Sequence, residues 1–410
     1  MTIRASDFPE LRLTVLQKLI ESFMTPPSLR LLGMFGQDNW ESDNIKWETQ
    51  VGNRGLTPFV APGSPSPTTA PNGVGAGAAF AAFWKEKMFF GEEFLNNLRE
   101  PGTTAKYMTA KRQIAKNTQS LRNRCMRRRE WMMAKMLCGA EFTYKVNNGL
   151  KYTINYDVPS DNLVDLGASR YWDDGASRNI VEDIFDSKNT IREANGGVLD
   201  NAMCTTDILK LMIFDPTIQN LCQKSTYGTG QLFATPQPVL ASLLGLPNIT
   251  IYDEVFQLRA WLTAAVTADS TTSVSVDDAT DFEDGDTLYF YDVSAETKEG
   301  ETISSSGIDV NAGTITVSTA PSTSYKASED YVYVNKTYIP KTKFIMWCST
   351  VEDEPIAEFA NAPFDMDRHY GLKIDNHEEW DPDGIAVRVQ NKGIPVLYQR
   401  DAIYVLTVKD

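Results

Sequence analysis

Apolar positions in this chain change period several times, and each change marks an element. In residues 1–25, Leu11, Leu13, Val15, Leu16, Leu19, Ile20 and Phe23 recur at helical spacing after the start signal Ser6-Asp7-Phe8-Pro9-Glu10. Thr25-Pro26-Pro27 closes that segment, so the pattern predicts an amphipathic helix. Ser28–Met34 reads as a second short helix, and Ile45–Val51 alternates like a strand. A turn, Arg99-Glu100-Pro101-Gly102, precedes the longest periodic segment, Ala105–Cys138. There Ile114, Leu121, Cys125, Met132 and Met136 recur at spacings of four and seven, which predicts one long helix with a single buried stripe and a stop at Gly139. Its 34 residues would span about 50 Å. A strand follows at Leu150–Tyr156, then a helix at 179–195 that ends at Gly196-Gly197. Helical stretches at Thr205–Phe214 and Pro236–Leu244 and a strand at Asn248–Asp253 continue an α+β pattern.

Residues 263–334 switch to period two. Thr272–Val276, Thr287–Tyr291, Glu301–Ser304, Thr314–Val317 and Tyr331–Val334 read as strands, with turns such as Glu283-Asp284-Gly285-Asp286 between them. Five short strands in so few residues predict a small β-barrel or sandwich. The α+β pattern resumes at Lys336, with strands at Lys343–Cys348, Gly384–Val389, Ile394–Leu397 and Ala402–Val408.

One tract has neither period. Residues 52–79 are dominated by Pro, Gly, Ser, Thr and Ala and cannot bury enough apolar surface to fold alone. Such a tract is either an interdomain linker or an arm that orders on a neighbouring subunit. Trp47, Phe59, Phe80, Phe83, Trp84, Phe89 and Phe90 on and around it favour the arm, because a plain linker has no use for so many adhesive side chains.

Charge separates the same regions. The chain has 39 basic and 54 acidic residues, a net of −15. Residues 263–334 alone hold 14 acids against Lys298 and Lys326, a net of −12, so the remainder is almost neutral at −3. Ala105–Cys138 holds ten Lys/Arg and one acid, Glu130. That excess exceeds what solubility needs and predicts an acidic partner opposite Lys111, Arg112, Lys116, Arg122, Arg124, Arg127, Arg128 and Arg129: phosphate, a scaffolding protein or a neighbour's carboxylates. Five Cys at irregular spacing, with no CxxC, argue against a disulfide framework or zinc ribbon and for a reducing compartment. The N-terminus does not read as a signal peptide, and no apolar run is long enough for a transmembrane helix, so no membrane role is expected.

Candidate chemistry is sparse, and no enzyme, catalytic group, cofactor or metal is expected. His369 and His377 fall in a loop-rich stretch at 361–380, and no HExxH, GxSxG or GxxxxGK[ST] occurs. Gly73-Val74-Gly75-Ala76-Gly77 lacks the last glycine of a nucleotide loop and follows no strand. The acidic run Asp277–Asp286 fits EF-hand spacing poorly and reads as a solvated turn; His377-Glu378-Glu379 reads as surface.

The order of these elements resembles the lambda-type major capsid proteins of tailed bacteriophages, with the Hong Kong 97 fold. The residues that carry the resemblance are the Pro/Gly tract, Arg99–Gly102 before a basic helix, Tyr152–Tyr156 running into Val158-Pro159, Ile251-Tyr252-Asp253, Tyr338-Ile339-Pro340, Asp381-Pro382-Asp383-Gly384 and Gly393-Ile394-Pro395-Val396. The resemblance implies an N-terminal arm at 1–45, an extended loop at 46–100, a peripheral domain at 101–199 with a spine helix at 105–138, an axial domain at 200–262 and 335–350, and a return to the peripheral domain at 351–410. The acidic β-module at 263–334 would be an insertion, facing outward. The implied function is a subunit that self-assembles as hexamers and pentamers into an icosahedral or prolate head around packaged double-stranded DNA. The implied partners are further copies of itself, a separate scaffolding protein, a portal, a decoration protein and, without sequence specificity, DNA. Assembly would take place in the bacterial cytoplasm. The rivals are a tail or baseplate component with a β-module, and a carboxylate-pair glycan hydrolase.

Overall fold

The computed structural model describes residues 12–22, 26, 28–50, 56–57, 59–60, 74–91, 104–145, 151–173, 177–351, 353–380 and 383–409. The chain forms two compact units: residues 1–252 with 341–410, and residues 253–340.

In the first unit, the strand Asp383–Leu397 organises one sheet. Its first half pairs antiparallel with Lys373–Trp380 and its last residues with Ala357–Asn361, while Ala82–Gly91 runs along its other edge from Gly384↔Gly91 to Gly393↔Ala82. Gly36–Asn39 adds a parallel edge against Glu358–Asn361. The sequence reading expected two strands where this single long one lies. It also expected a loop at 361–380, whereas Lys373–Trp380 is a strand that places His377 opposite Ala386. Only Ile374 and Trp380 are apolar in that strand, too few to show alternation. The helices Leu13–Ser22 and Thr104–Leu137 cover this sheet, and Leu16, Ile114, Leu121 and Cys125 share a core with Phe90, Ile374, Ile385, Val387 and Val389.

A second sheet in the same unit has the order Leu163–Asp165, Ile403–Thr407, Lys343–Trp347, Asn201–Cys204, Asn248–Ile251. Ile403–Thr407 therefore leaves the sheet of Asp383–Leu397, against the expectation that 351–410 stays in one domain. Ile403, Tyr404, Val405 and Leu406 are all buried, so this strand needs cover on both faces. Five helices accompany this sheet: Ile180–Asn195, Thr206–Ile213, Pro216–Lys224, Gly228–Ala234 and Pro236–Leu244. Pro216–Lys224 is not among the expected helices, although its start is explicit: Asp215 accepts from Thr217 N at 2.9 Å and Ile218 N at 3.0 Å, with Pro216 at the first position.

The second unit is a six-stranded antiparallel sheet in the order Val255–Trp261, Tyr331–Thr337, Thr287–Asp292, Thr297–Asp309, Thr314–Val317, Ser273–Ser275. The five expected strands are present. The sixth, Val255–Trp261, lies outside the expected 263–334 boundary because it pairs in register with Tyr331–Thr337 along its whole length. Thr297–Asp309 switches partners between Thr302 and Ile303 and then bulges between Ile303 and Ile308 against Thr314–Val317. Gly307 sits in that bulge because an added Cβ would lie 2.7 Å from both Ser304 O and Thr316 O. The bridges Leu262↔Val276 and Val266↔Tyr325 draw the sheet's ends together over Val274, Leu288, Phe290, Ile315 and Val332, a closure typical of a barrel.

Candidate assembly interface

The long helix is built differently along its length. The side chains of residues 104–113, including Lys111 and Arg112, lie outside the described residues. From Ile114 onward the expected stripe is buried, but the final turns are buried all round: Trp131, Met132, Met133, Ala134, Met136, Leu137 and Cys138. The basic residues consequently divide. Lys116, Arg127 and Arg128 are exposed. Arg124 is half-buried and pairs with Glu86 at 2.8 Å. Arg122 and Arg129 face inward, which corrects the picture of one continuous basic face. Arg129 is 4% exposed and lies 4.0 Å from the centroid of the Phe359 ring, and burial lowers its pKa to about 10.

Glu130, the helix's one acid, is fully buried. Its carboxylate accepts from Leu31 N at 2.9 Å, Leu32 N at 3.0 Å and the Tyr252 hydroxyl at 2.6 Å. Burial pushes this carboxyl up, and the bonds from Tyr252, Leu31 and Leu32 oppose that rise. Glu130 thus caps the short helix Leu31–Met34 from a residue 99 positions away. That distance explains why the helix starts at Leu31 and not at Ser28, since no local side chain caps it.

The Pro/Gly tract begins and ends in a two-stranded ribbon, Asn44–Gln50 against Val74–Phe80. Trp47 stands opposite Gly77 and Thr49 opposite Gly75. A Cβ at Gly77 would overlap the Trp47 indole, and one at Gly75 would strike Thr49. The glycines first weighed as a phosphate loop therefore serve strand packing. The ribbon's base rests on aromatic contacts: Phe80 meets Tyr152 edge-on at 5.9 Å, Tyr144 Oη donates to Phe80 O, and Tyr152 Oη donates to Ala78 O at 3.3 Å.

The seven aromatics of this region do not form one patch. Trp47 and Phe90 are buried, and half-buried Trp84 donates from Nε1 to Cys125 O at 3.2 Å. Phe89 is half-buried. Phe59, Phe80 and Phe83 are exposed, Phe59 completely. Alternation along Ala82–Gly91 decides this division, since Phe90 points to the core under the long helix.

The acidic turn of the second unit is not simply solvated. Lys336 Nζ sits 2.9 Å from Asp281 O, 3.1 Å from Glu283 Oε1 and 3.0 Å from Asp286 Oδ2. An internal ammonium occupies the position a cation would take. Among the described residues, no group of three or more His, Cys, Asp or Glu is placed to hold a metal ion, and no helix is long and apolar enough to cross a membrane.

A long helix packed on one sheet, with a two-stranded ribbon and a second sheet accompanied by its own helices, fits the Hong Kong 97-type fold. A prophage protein of Escherichia coli CFT073 assigned as its capsid protein shares this fold at a TM-score of 0.51, with 10% identity over 100% of both chains. The capsid of cyanophage P-SCSP1u aligns at a TM-score of 0.41 and 10% identity over 92% of this chain and 87% of that one. The capsid of Staphylococcus phage Andhra aligns at 0.39 and 11% over 92% and 83%. No curated protein matches the sequence. Residues 13–302, 290 of 410, match the sequence model of the family described as phage major capsid protein E, and the chain belongs to that family. It is a phage head-shell protein, located in the virion capsid, where copies associate into a lattice. The family is structural, and the tail or baseplate alternative is not favoured.

Proposed function

We propose that copies of this chain assemble as hexamers and pentamers into an icosahedral or prolate head shell that encloses the phage genome, and that the chain acts as a structural subunit without enzymatic activity. The observation that carries this reading is the ribbon Asn44–Gln50/Val74–Phe80, which pairs with no third strand among the described residues. Leu56 and Phe59, between its strands in sequence, stand fully exposed. An isolated two-stranded ribbon is marginal in water. Docking on a neighbouring copy would cover its apolar residues and its open edges. This supports residues 46–100 as an inter-subunit loop, with 1–45 as an arm, 101–199 and most of 351–410 as the peripheral region, and the sheet around Lys343–Trp347 as the axial region. Residues 253–340 are the insertion, its acidity favouring the outer surface.

Lys116, Arg127 and Arg128 then supply inner-surface cations for packaged DNA or an acidic scaffold. Such contacts are independent of sequence and weaken with salt. Assembly in the host cytoplasm with scaffolding, portal and decoration proteins completes the reading. Electron microscopy of the chain co-expressed with its scaffold tests it: closed shells or capsomer rings are expected, and a persistent monomer overturns it. The variant Arg127→Glu/Arg128→Glu tests the cations. It should fold normally yet assemble poorly or lose DNA, and normal DNA-filled heads would refute that role. Arg129 does not belong in this test, since a carboxylate there would be buried against Phe359.

A further inference from the structure

The second unit is strongly acidic, and one of its faces departs from that character. Residues 253–340 hold sixteen Asp and Glu against Arg259, Lys298, Lys326 and Lys336. Side chains alternate along its strands, so Leu258, Ala260, Leu288, Phe290, Val332 and Val334 point into the core. Their neighbours in sequence share the outward face. Strand register arranges these in rows: Trp261, Tyr331, Tyr291 and Lys298 form one, and Arg259, Tyr333, Tyr289 and Gly300 the next. Gln257 and Asn335 continue the pattern. Within these rows no position is Asp or Glu; Asp277, whose carboxylate accepts from Trp261 N at 2.8 Å, borders them at the Trp261 end.

The rings in these rows lean on one another. Tyr289 stacks on Tyr333 at 5.2 Å, Tyr291 stacks on Tyr331 at 5.0 Å, and Trp261 meets Tyr331 edge-on at 5.4 Å. The Arg259 guanidinium lies 4.9 Å from the Tyr331 ring centroid, and Lys298 Nζ lies 5.5 Å from that of Tyr289. Trp261 remains half exposed at 49%, Tyr289, Tyr291 and Tyr331 are half-buried, and Tyr333 is buried at 6%. Stacked rings are rigid, so contact through them costs little side-chain entropy. Tyr, Trp and Arg with acids excluded is the composition of an energetically dominant protein interface. Rings standing against each other present edges and hydroxyls outward, not the open faces that a sugar ring or base would stack on.

We infer that this face is a contact surface for a second copy of this chain within the shell, and that it docks on the acidic surface of the neighbour's second unit. Charge decides the geometry. Two such faces meeting across a two-fold axis would oppose Arg259 and Lys298 to themselves. A face carrying two cations, with Asp277 only at its rim, instead complements a unit whose net charge is −12. The contact is therefore head-to-tail, the type that closes rings. This inference rests on the shell reading above.

All five native cysteines are buried, so one introduced surface thiol can be labelled selectively. Gln257→Cys, or Asn335→Cys where the first disturbs folding, would carry a benzophenone maleimide into shells formed by the full chain. Irradiation should yield covalent chain dimers, with the attachment mapping to acidic segments of the partner's residues 253–340. Adding Arg259→Glu should cut the dimer yield about fivefold, whereas Arg259→Lys should leave it near the parent level. Intact shells that give no dimer, or attachment to a different protein, to a glycan or to residues outside 253–340, would overturn the inference. Absence of shells from the unmodified chain would instead count against the shell reading, so the two failures are distinguishable.

Discussion

Removing the Glu130 carboxylate should release the segment at Leu31 from the long helix. Three donors converge on that carboxylate: Leu31 N, Leu32 N and Tyr252 Oη. At about 1.5 kcal/mol for each charge-assisted bond, their loss costs roughly 4.5 kcal/mol. Relief of the buried carboxylate's desolvation returns about 1.5 kcal/mol, leaving Glu130→Ala destabilising by roughly 3 kcal/mol. Glu130→Gln should cost less, about 2 kcal/mol, because its one oxygen still accepts from Leu31 N and the Tyr252 hydroxyl while Nε2 is set against Leu32 N, a donor facing a donor. Hydrogen exchange of the unassembled chain is the direct assay: a local loss of 3 kcal/mol speeds exchange at Leu31 and Leu32 on the order of a hundredfold. Titration gives a second signature. The folded pKa of Glu130 is raised, so the folded state binds the proton more tightly than the unfolded chain does. Stability from this residue is greatest below the unfolded pKa and falls as pH rises through the folded pKa; Glu130→Gln should abolish that slope. Unchanged protection at Leu31 and Leu32 in Glu130→Ala would refute the capping argument.

Three further outcomes follow from the packing. Lys336→Met should destabilise residues 253–340 by about 1 kcal/mol, mostly through Asp286 since Glu283 is largely solvated, measured as a lower thermal midpoint, while calcium should not raise the wild-type midpoint because the ammonium already fills the turn. Gly77→Val should displace the Trp47 indole, shifting tryptophan emission to the red and weakening assembly without unfolding the second sheet. Residues 253–340 expressed alone should fold cooperatively, because the ends of the segment are paired to each other through Val255↔Thr337 and Tyr338 N bonds Glu254 O at 3.3 Å; a disordered circular-dichroism spectrum would contradict this.

Local chemistry was legible before any coordinates. The stripe Ile114, Leu121, Cys125, Met132 and Met136 and the five strands of the acidic module follow from spacing, because period and turn chemistry act over a few residues, whereas Val74–Phe80, mostly glycine and alanine, has no period and becomes a strand only against Asn44–Gln50. The order of those elements was enough to point to the capsid family. Tertiary structure alone decided what the charged residues do. Arg127 and Arg129 are two positions apart in sequence, yet one is exposed and the other lies against Phe359, a residue the sequence separates by more than 200 positions. Glu130 is one acid among ten bases until Leu31, Leu32 and Tyr252 are folded against it. Lys336 looks like any surface lysine until strand pairing brings it into the turn at Asp281–Asp286. A strand's register is set by its partner, so Arg259 and Trp261 join the face of Tyr289, Tyr291, Tyr331 and Tyr333 only once Val255–Trp261, absent from the expected module, is paired beside them.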